Sequence, residues 1–237
     1  MLAQNLRSAF GNHSPSIAKA YRNPSPAAPG PSVTLLHQFG VKRYFMRDDT
    51  IFDAGQSTDR VVRVLSGTLR LCRHIAGRRR IADFLHPGDL FGLAAGQHLS
   101  VEAVTDTVVS AYPRRQLDEL IAGCPEVGLP IVSQLAESLA ALQGQLLSFG
   151  CASAKTQMAA FLLRLCTRQG AAEGDRITLA MPRRDIADHL GLSVETVCRV
   201  LSGLQADAII RIPDRRHIVV ADLRALQNLA TNGPVES

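Results

Sequence analysis

The sequence predicts an α+β fold: an N-terminal antiparallel β-roll of the jelly-roll kind, a long helix, and a C-terminal winged helix-turn-helix. Three observations lead there. Turn signals break residues 40–113 into short apolar or alternating runs. After Pro125 the apolar spacing changes to a heptad pattern. From residue 155 onward the chain reads as helix, strand, helix, turn, helix and hairpin, the layout of a winged helix-turn-helix.

Residues 1–31, with "NPSPAAPGPS", lack periodicity and are predicted to be a disordered tail. The acid-free start "MLAQNLRSAF" has the texture of a presequence, but no apolar run or cleavage pattern follows it. The roll is assigned to residues 32–123. Its strands are read in "VVRVLSGTLRLCRHI", "RRIADFLH" and "VVSAYP". Its turns are read at Ala54-Gly55, Ser66-Gly67, Ala76-Gly77, Pro87-Gly88-Asp89 and Ala95-Gly96. Arg78, Arg79 and Arg80 follow a turn glycine, and a charge run there is expected to be a solvated hairpin tip rather than a phosphate patch. His86 and His98 flank the Pro-Gly-Asp turn and are expected at the surface.

Residues 124–150 form the long helix. Val132, Leu135, Leu139, Leu142 and Leu146 follow one another at spacings of 3, 4, 3 and 4, an a/d seam over two heptads. Such a seam fits either a helix lying on its own roll or one paired with its twin in a homodimer. Residues 151–237 complete the chain. "KTQMAAFLLRLCTR" is a helix ending at Gly170, "ITLAM" a strand, residues 183–204 two helices, and "AIIRIPDRRHIVVAD" two strands about a Pro213-Asp214 turn.

Gly191 is placed where a sharp turn demands a left-handed backbone. Ile186, Ala187 and Leu190 then face inward from the first helix, Leu192 fills the turn, and Ser193 caps the second helix. Within "VETVCRVLSGL", Val197, Val200, Leu201 and Leu204 cluster on one side at about 100° per residue. Glu195, Arg199 and Ser202 point the opposite way, with Cys198 on their flank. A glutamate can accept from a cytosine amine, and an arginine can donate twice to guanine. The competing account is an i, i+4 salt bridge of about 0.2–0.5 kcal/mol. On the second helix of this motif, base reading is the better account.

"GLSVETVCRVLSGL" resembles the recognition helix of the CRP/FNR superfamily of bacterial transcription regulators. "GQSTDRVVRVLSGTLRL", "GRRRIADFLHPGDLFGL" and "VEAVTDTVV" resemble its cyclic-nucleotide-binding-like roll, particularly in the FixK-like branch. The resemblance covers most of the chain. It implies a cytoplasmic activator that binds double-stranded DNA as a homodimer and works with RNA polymerase. By position, Glu195 and Arg199 would read the outer bases of a TTGA-type half-site, and Val194 would lie near a thymine methyl. Arg183, Arg184, Ser193, Arg215 and Arg216 would meet phosphates.

Three departures from the family sharpen this. Residues 1–71 contain no cysteine, which argues against an N-terminal iron–sulfur switch. Leu99-Ser100-Val101 stands where cyclic-AMP receptors carry the Arg-Ser/Thr that holds the cyclic phosphate, which argues against cyclic-AMP binding. Cys198 replaces the serine of FNR-type helices. It is either an inert small residue or a redox switch beside the DNA. Two other readings remain: gating by an unidentified small molecule in the roll, and a cyclic-nucleotide-binding module of another class.

Composition limits the rest. Of the net charge of +5, more than the whole excess lies in residues 1–47, which carry six basic residues and no acid. DNA binding therefore rests on local geometry rather than on bulk charge. No apolar run approaches the roughly 18–20 residues that cross a bilayer, so no membrane role is expected. The five scattered cysteines include no CxxC and read as reduced thiols. No nucleophile–base pair or metal-ligand spacing is apparent, so neither catalysis, metal nor cofactor is expected.

Overall fold

The computed structural model describes residues 40–55, 59–75, 77–93, 98–148 and 153–232. The expected tail at 1–31, the Ala95-Gly96 turn and Cys151 lie outside them. Eight strands build the roll: β1 (Val41–Phe45), β2 (Thr50–Phe52), β3 (Arg60–Ser66), β4 (Leu69–Ile75), β5 (Arg78–Leu85), β6 (Leu90–Phe91), β7 (Ser100–Ala103) and β8 (Thr107–Pro113). They form two antiparallel sheets ordered β1-β8-β3-β6 and β2-β7-β4-β5. Between the sheets lie Val62, Val64, Leu69, Phe91, Val101 and Val109. Gly67 makes the β3–β4 turn at φ +86°, where an added Cβ would fall 2.5 Å from the Asp106 carbonyl. Only glycine meets both demands.

The short strands β2, β6 and β7 and the helix α1 (Arg114–Gly123) are not evident from sequence periodicity. Helix α1 closes the roll through buried Leu117, which packs with Val61 and Tyr112. The long helix α2 (Pro125–Ser148) follows after Cys124. Its first turns pack on this cluster through Val127 and Ile131. The heptad seam points elsewhere: Val132, Leu135, Leu139 and Leu142 are 62%, 50%, 58% and 49% exposed. The side chain of Leu146 lies outside the described residues. The seam therefore does not lie on the chain's own roll.

The C-terminal domain comprises α3 (Ala154–Gln169), β9 (Arg176–Thr178), α4 (Arg183–Leu190), α5 (Val194–Ala206), β10 (Ile210–Asp214), β11 (His217–Val220) and α6 (Leu223–Asn232). Its sheet runs β10-β11-β9. Ser153 caps α3 and a left-handed Gly170 ends it. The strand expected in "ITLAM" occupies only Arg176–Thr178. The hairpin turn falls at Arg215-Arg216, two residues beyond the expected Pro213-Asp214, because the ladder slips between Arg211 and Asp214 and lets β10 run through both residues. Helix α6 buries Leu226 against this core. Cys72, Ile81, Phe84 and Val104 of the roll join the same apolar cluster as Met158, Ile186 and Leu204, so the two domains share a continuous core.

Candidate nucleic-acid interface

The candidate reading head is the helix-turn-helix formed by α4, its turn and α5. Gly191 adopts φ +70° and ψ +24°, and its N–H closes α4 on the Ala187 carbonyl. The Leu192 N–H bonds to the same carbonyl at 3.0 Å. Ser193 then caps α5, its hydroxyl accepting from the Thr196 N–H at 3.1 Å. Ile186, Ala187, Leu190, Val197, Leu201 and Leu204 are buried, so the inner faces of both helices are committed to packing.

The outer face of α5 is free. Val194, Glu195, Cys198, Arg199 and Ser202 are all exposed. Among the described residues no ion pair joins Glu195 to Arg199, so the i, i+4 salt bridge is not formed. The Glu195 carboxyl instead turns to its own backbone N–H and the Ser193 hydroxyl, which hold it below the usual carboxylate range. It is thus an ionised acceptor at the N-terminal end of the helix, where the dipole favours negative charge.

Arg183 and Arg184 open α4, and Arg215 and Arg216 form the turn of the wing hairpin. Arg184, Arg215 and Arg216 are exposed, the last two at the tip of the wing. Arg183 is half-buried, and its Nη1 is enclosed without a hydrogen-bond partner. Burial pushes its guanidinium below its usual range, and the nearby Cys198 thiol acts in the opposite direction. Sequence reading missed the brace behind the wing. Asp214 accepts from the Arg216 N–H at 2.8 Å and from Arg176 Nη2 at 2.6 Å, with His217 Nδ1 2.8 Å away. The backbone bond comes first among the causes that lower the Asp214 carboxyl.

The expected solvated tip is only partly so. Arg78 and Arg80 are exposed, but Arg79 turns inward and donates to Asp185 and to Asp188 of α4. No local pattern signals this, because the partners lie more than a hundred positions apart in sequence. Asp89, in the turn before β6, accepts from Arg168 of α3. Cys72, Cys124, Cys166 and Cys198 are free thiols. Burial pushes Cys72 up to about 12 and Cys166 up to about 11, whereas Cys198 is exposed. Among the described residues no cluster of His, Cys, Asp or Glu is arranged to hold a metal ion, and no helix is long and apolar enough to cross a membrane.

Comparison with known proteins agrees with this architecture. Residues 42–124 match the cyclic nucleotide-binding domain family, and residues 156–229 match the Crp-like helix-turn-helix domain family. The chain is 33% identical to the nitrogen fixation regulation protein FixK of Azorhizobium caulinodans, with 94% of this chain and 97% of the relative covered. It is also 33% identical to FixK of Rhizobium meliloti, over 90% and 94% of the two chains. The transcriptional activator FnrL of Cereibacter sphaeroides is 28% identical over 82% of each. Among solved structures, FixK2 from Bradyrhizobium japonicum superposes with a TM-score of 0.74 at 31% identity, covering 82% of this chain and 99% of that one. With a roll, a helix-turn-helix and full-length likeness to FixK together, the chain belongs to the CRP/FNR family of transcription regulators.

Proposed function

We propose that this regulator binds double-stranded DNA as a homodimer and recognises a palindrome whose half-site resembles TTGA. Glu195 and Arg199 read the outer bases, and Val194 packs near a thymine methyl. Arg183, Arg184, Ser193, Arg215 and Arg216 contact phosphates, which fix register without reading sequence. The observation that carries this reading is the pairing of an ionised, exposed Glu195 with an unpaired Arg199 on the one free face of α5. The exposed seam of α2 supplies the two-fold contact. As an activator, which is how FnrL is named, it would work in the cytoplasm with RNA polymerase as partner.

Fluorescence anisotropy with reduced protein, a TTGA palindrome and a half-site-scrambled duplex at one salt concentration tests the reading. Preference for the palindrome without added ligand is expected. Equal affinity for both duplexes rejects the half-site assignment. Binding is proposed to be independent of cyclic AMP, because Asp89 is engaged by Arg168 and apolar Leu99 stands where the phosphate needs a cation. A saturable rise in DNA affinity on cyclic-AMP titration would refute that part and favour gating by a small molecule.

A second reading concerns Cys198, favoured by its exposure on the reading face beside Arg183. Oxidation by peroxide to a sulfenic or sulfinic acid would place bulk or negative charge against DNA. Mild peroxide is then expected to abolish binding by the parent and spare Cys198→Ser. Equal loss in both proteins removes Cys198 from the account.

A further inference from the structure

The β4–β5 hairpin carries charge that the roll itself does not use. Arg73 of β4 lies directly opposite Arg80 of β5, and the next pair on the same face toward the tip is Ile75 with Arg78. Three arginines thus crowd one face of a two-stranded ribbon. All three are exposed, and among the described residues no acid pairs with them. Like charges placed directly opposite on a sheet are destabilising, so an arrangement of this kind is relieved by an anion.

The hairpin is also held in a fixed place. Arg79, on its other face, donates to Asp185 and Asp188 and so fastens β5 to α4. Arg80 consequently reaches the turn of the reading head: its Nη1 lies 3.8 Å from the position that a Cβ on Gly191 would occupy. Two residues further on, Ser193 caps α5 at the end that faces DNA in the proposed function.

We propose that this hairpin face is a second DNA-backbone contact, contributed by the roll. In it Arg80, Arg73 and Arg78 pair with phosphates of the same duplex that α5 reads. The inference rests on the DNA-binding reading above and extends it to the roll. Guanidinium groups suit this role, since their forked donors match phosphate oxygens. The partner is the phosphodiester backbone and not a base, because the hairpin adds charge without a reading helix. It should therefore strengthen binding to every sequence alike.

The test compares the full-length parent with Arg73→Gln/Arg80→Gln and Arg78→Gln on the palindromic and the scrambled duplex over a series of salt concentrations. Each lost phosphate contact is expected to flatten the plot of log K against log salt by about one, so the double variant loses about two per protomer on both duplexes. The palindrome-to-scrambled ratio should stay that of the parent. Arg115→Gln, which removes the same charge from α1, should leave the slope unchanged, and Arg80→Lys should largely keep it.

Two outcomes overturn the proposal. One is a slope equal to the parent's. The other is a lower Tm with an unchanged slope, which would make Arg80 only a positive charge at the C-terminal end of α4. A parent that does not distinguish palindrome from scramble rejects the half-site reading instead. The salt slopes would still decide the hairpin's role.

Discussion

Asp185 of α4 accepts a hydrogen bond from Arg70 of β4 at 2.9 Å while only 2% exposed, so a carboxylate of the helix-turn-helix is buried against the roll. Arg79 bonds to its other oxygen. Arg70 is itself shared with Glu102 at 2.8 Å and Asp48 at 3.2 Å. Burial opposes the charge on Arg70, but Glu102 and Asp185 outweigh it and raise its pKa. The orientation of the helix-turn-helix relative to the roll is thus set by ionic bonds as well as by apolar packing.

Removing Asp185 is expected to be costly. Breaking a buried pair from one side leaves uncompensated charge, about 3–5 kcal/mol where no other partner remains. Arg70 keeps Glu102 and Asp48, and Arg79 keeps Asp188, so Asp185→Ala should fall near or below the low end of that range. Denaturant unfolding is the measurement. A lower midpoint is expected, with the two domains melting in separate steps. A single unshifted transition would show that the apolar contacts alone fix the domains.

His189 gives the same interface a pH dependence. Its ring sits 5.3 Å from Phe84 and 5.8 Å from Phe161. One neutral tautomer satisfies both nitrogens: Nδ1–H donates to the Ile81 carbonyl at 3.2 Å, and Nε2 accepts from Arg164 at 3.1 Å. Burial first, and the Arg164 charge second, push its pKa down, against the opposing pull of Asp83 and the Ile81 and Ala82 carbonyls. His86, expected at the surface from its place beside a turn, is instead half-buried. It is lowered by burial and then by Arg168, against Asp89 and Asp83.

A histidine lowered in the folded state loses no stability above its unfolded pKa of about 6.5. Below that, the unfolded chain binds a proton that the folded chain refuses, so stability falls as pH falls. A progressive loss as pH falls below about 6.5 is expected in urea titrations. His189→Phe should flatten that slope, though it lowers stability at neutral pH by removing the hydrogen bonds that His189 makes with the Ile81 carbonyl and with Arg164. An unchanged slope would assign the acid sensitivity to other groups.

Arg199→Ala should remove about 1–3 kcal/mol of discrimination at one base pair of each half-site, leaving affinity for scrambled DNA nearly unchanged. Competition with single-base-substituted duplexes measures this directly. Full retention of palindrome preference would mean that a different side chain reads that pair.

The helix-turn-helix is legible in the sequence because its constraints are local. Gly191, Ser193 and the Val197–Leu201–Leu204 stripe lie within fourteen residues and agree on one geometry. The roll's long strands were legible for the same reason, since β3, β4, β5 and β8 each carry an apolar run beside a turn glycine or turn signal. What stayed hidden depends on distant partners. Nothing near Asp185 in sequence announces Arg70, and nothing near Arg80 announces Gly191. Strands as short as β6 bury too few residues to leave a period. The wing turn was misplaced because Pro213 and Asp214 carry strong turn chemistry, which the slipped ladder of β10 overrides.

The exposed seam of α2 yields the last expectation. Val132, Leu135, Leu139 and Leu142 are about half or more exposed in the single chain, while Val127 and Ile131 anchor the helix to α1 and β3 from another face. Each leucine fully buried by a twin helix would contribute roughly 1.5–3 kcal/mol. Leu139→Glu would instead bring two carboxylates into that seam, one from each protomer. The anchoring face is untouched, so the variant should fold with circular dichroism like the parent's. It should sediment as a monomer and lose the palindrome's advantage over a single half-site. A variant that remains dimeric would place the two-fold contact elsewhere on the molecule.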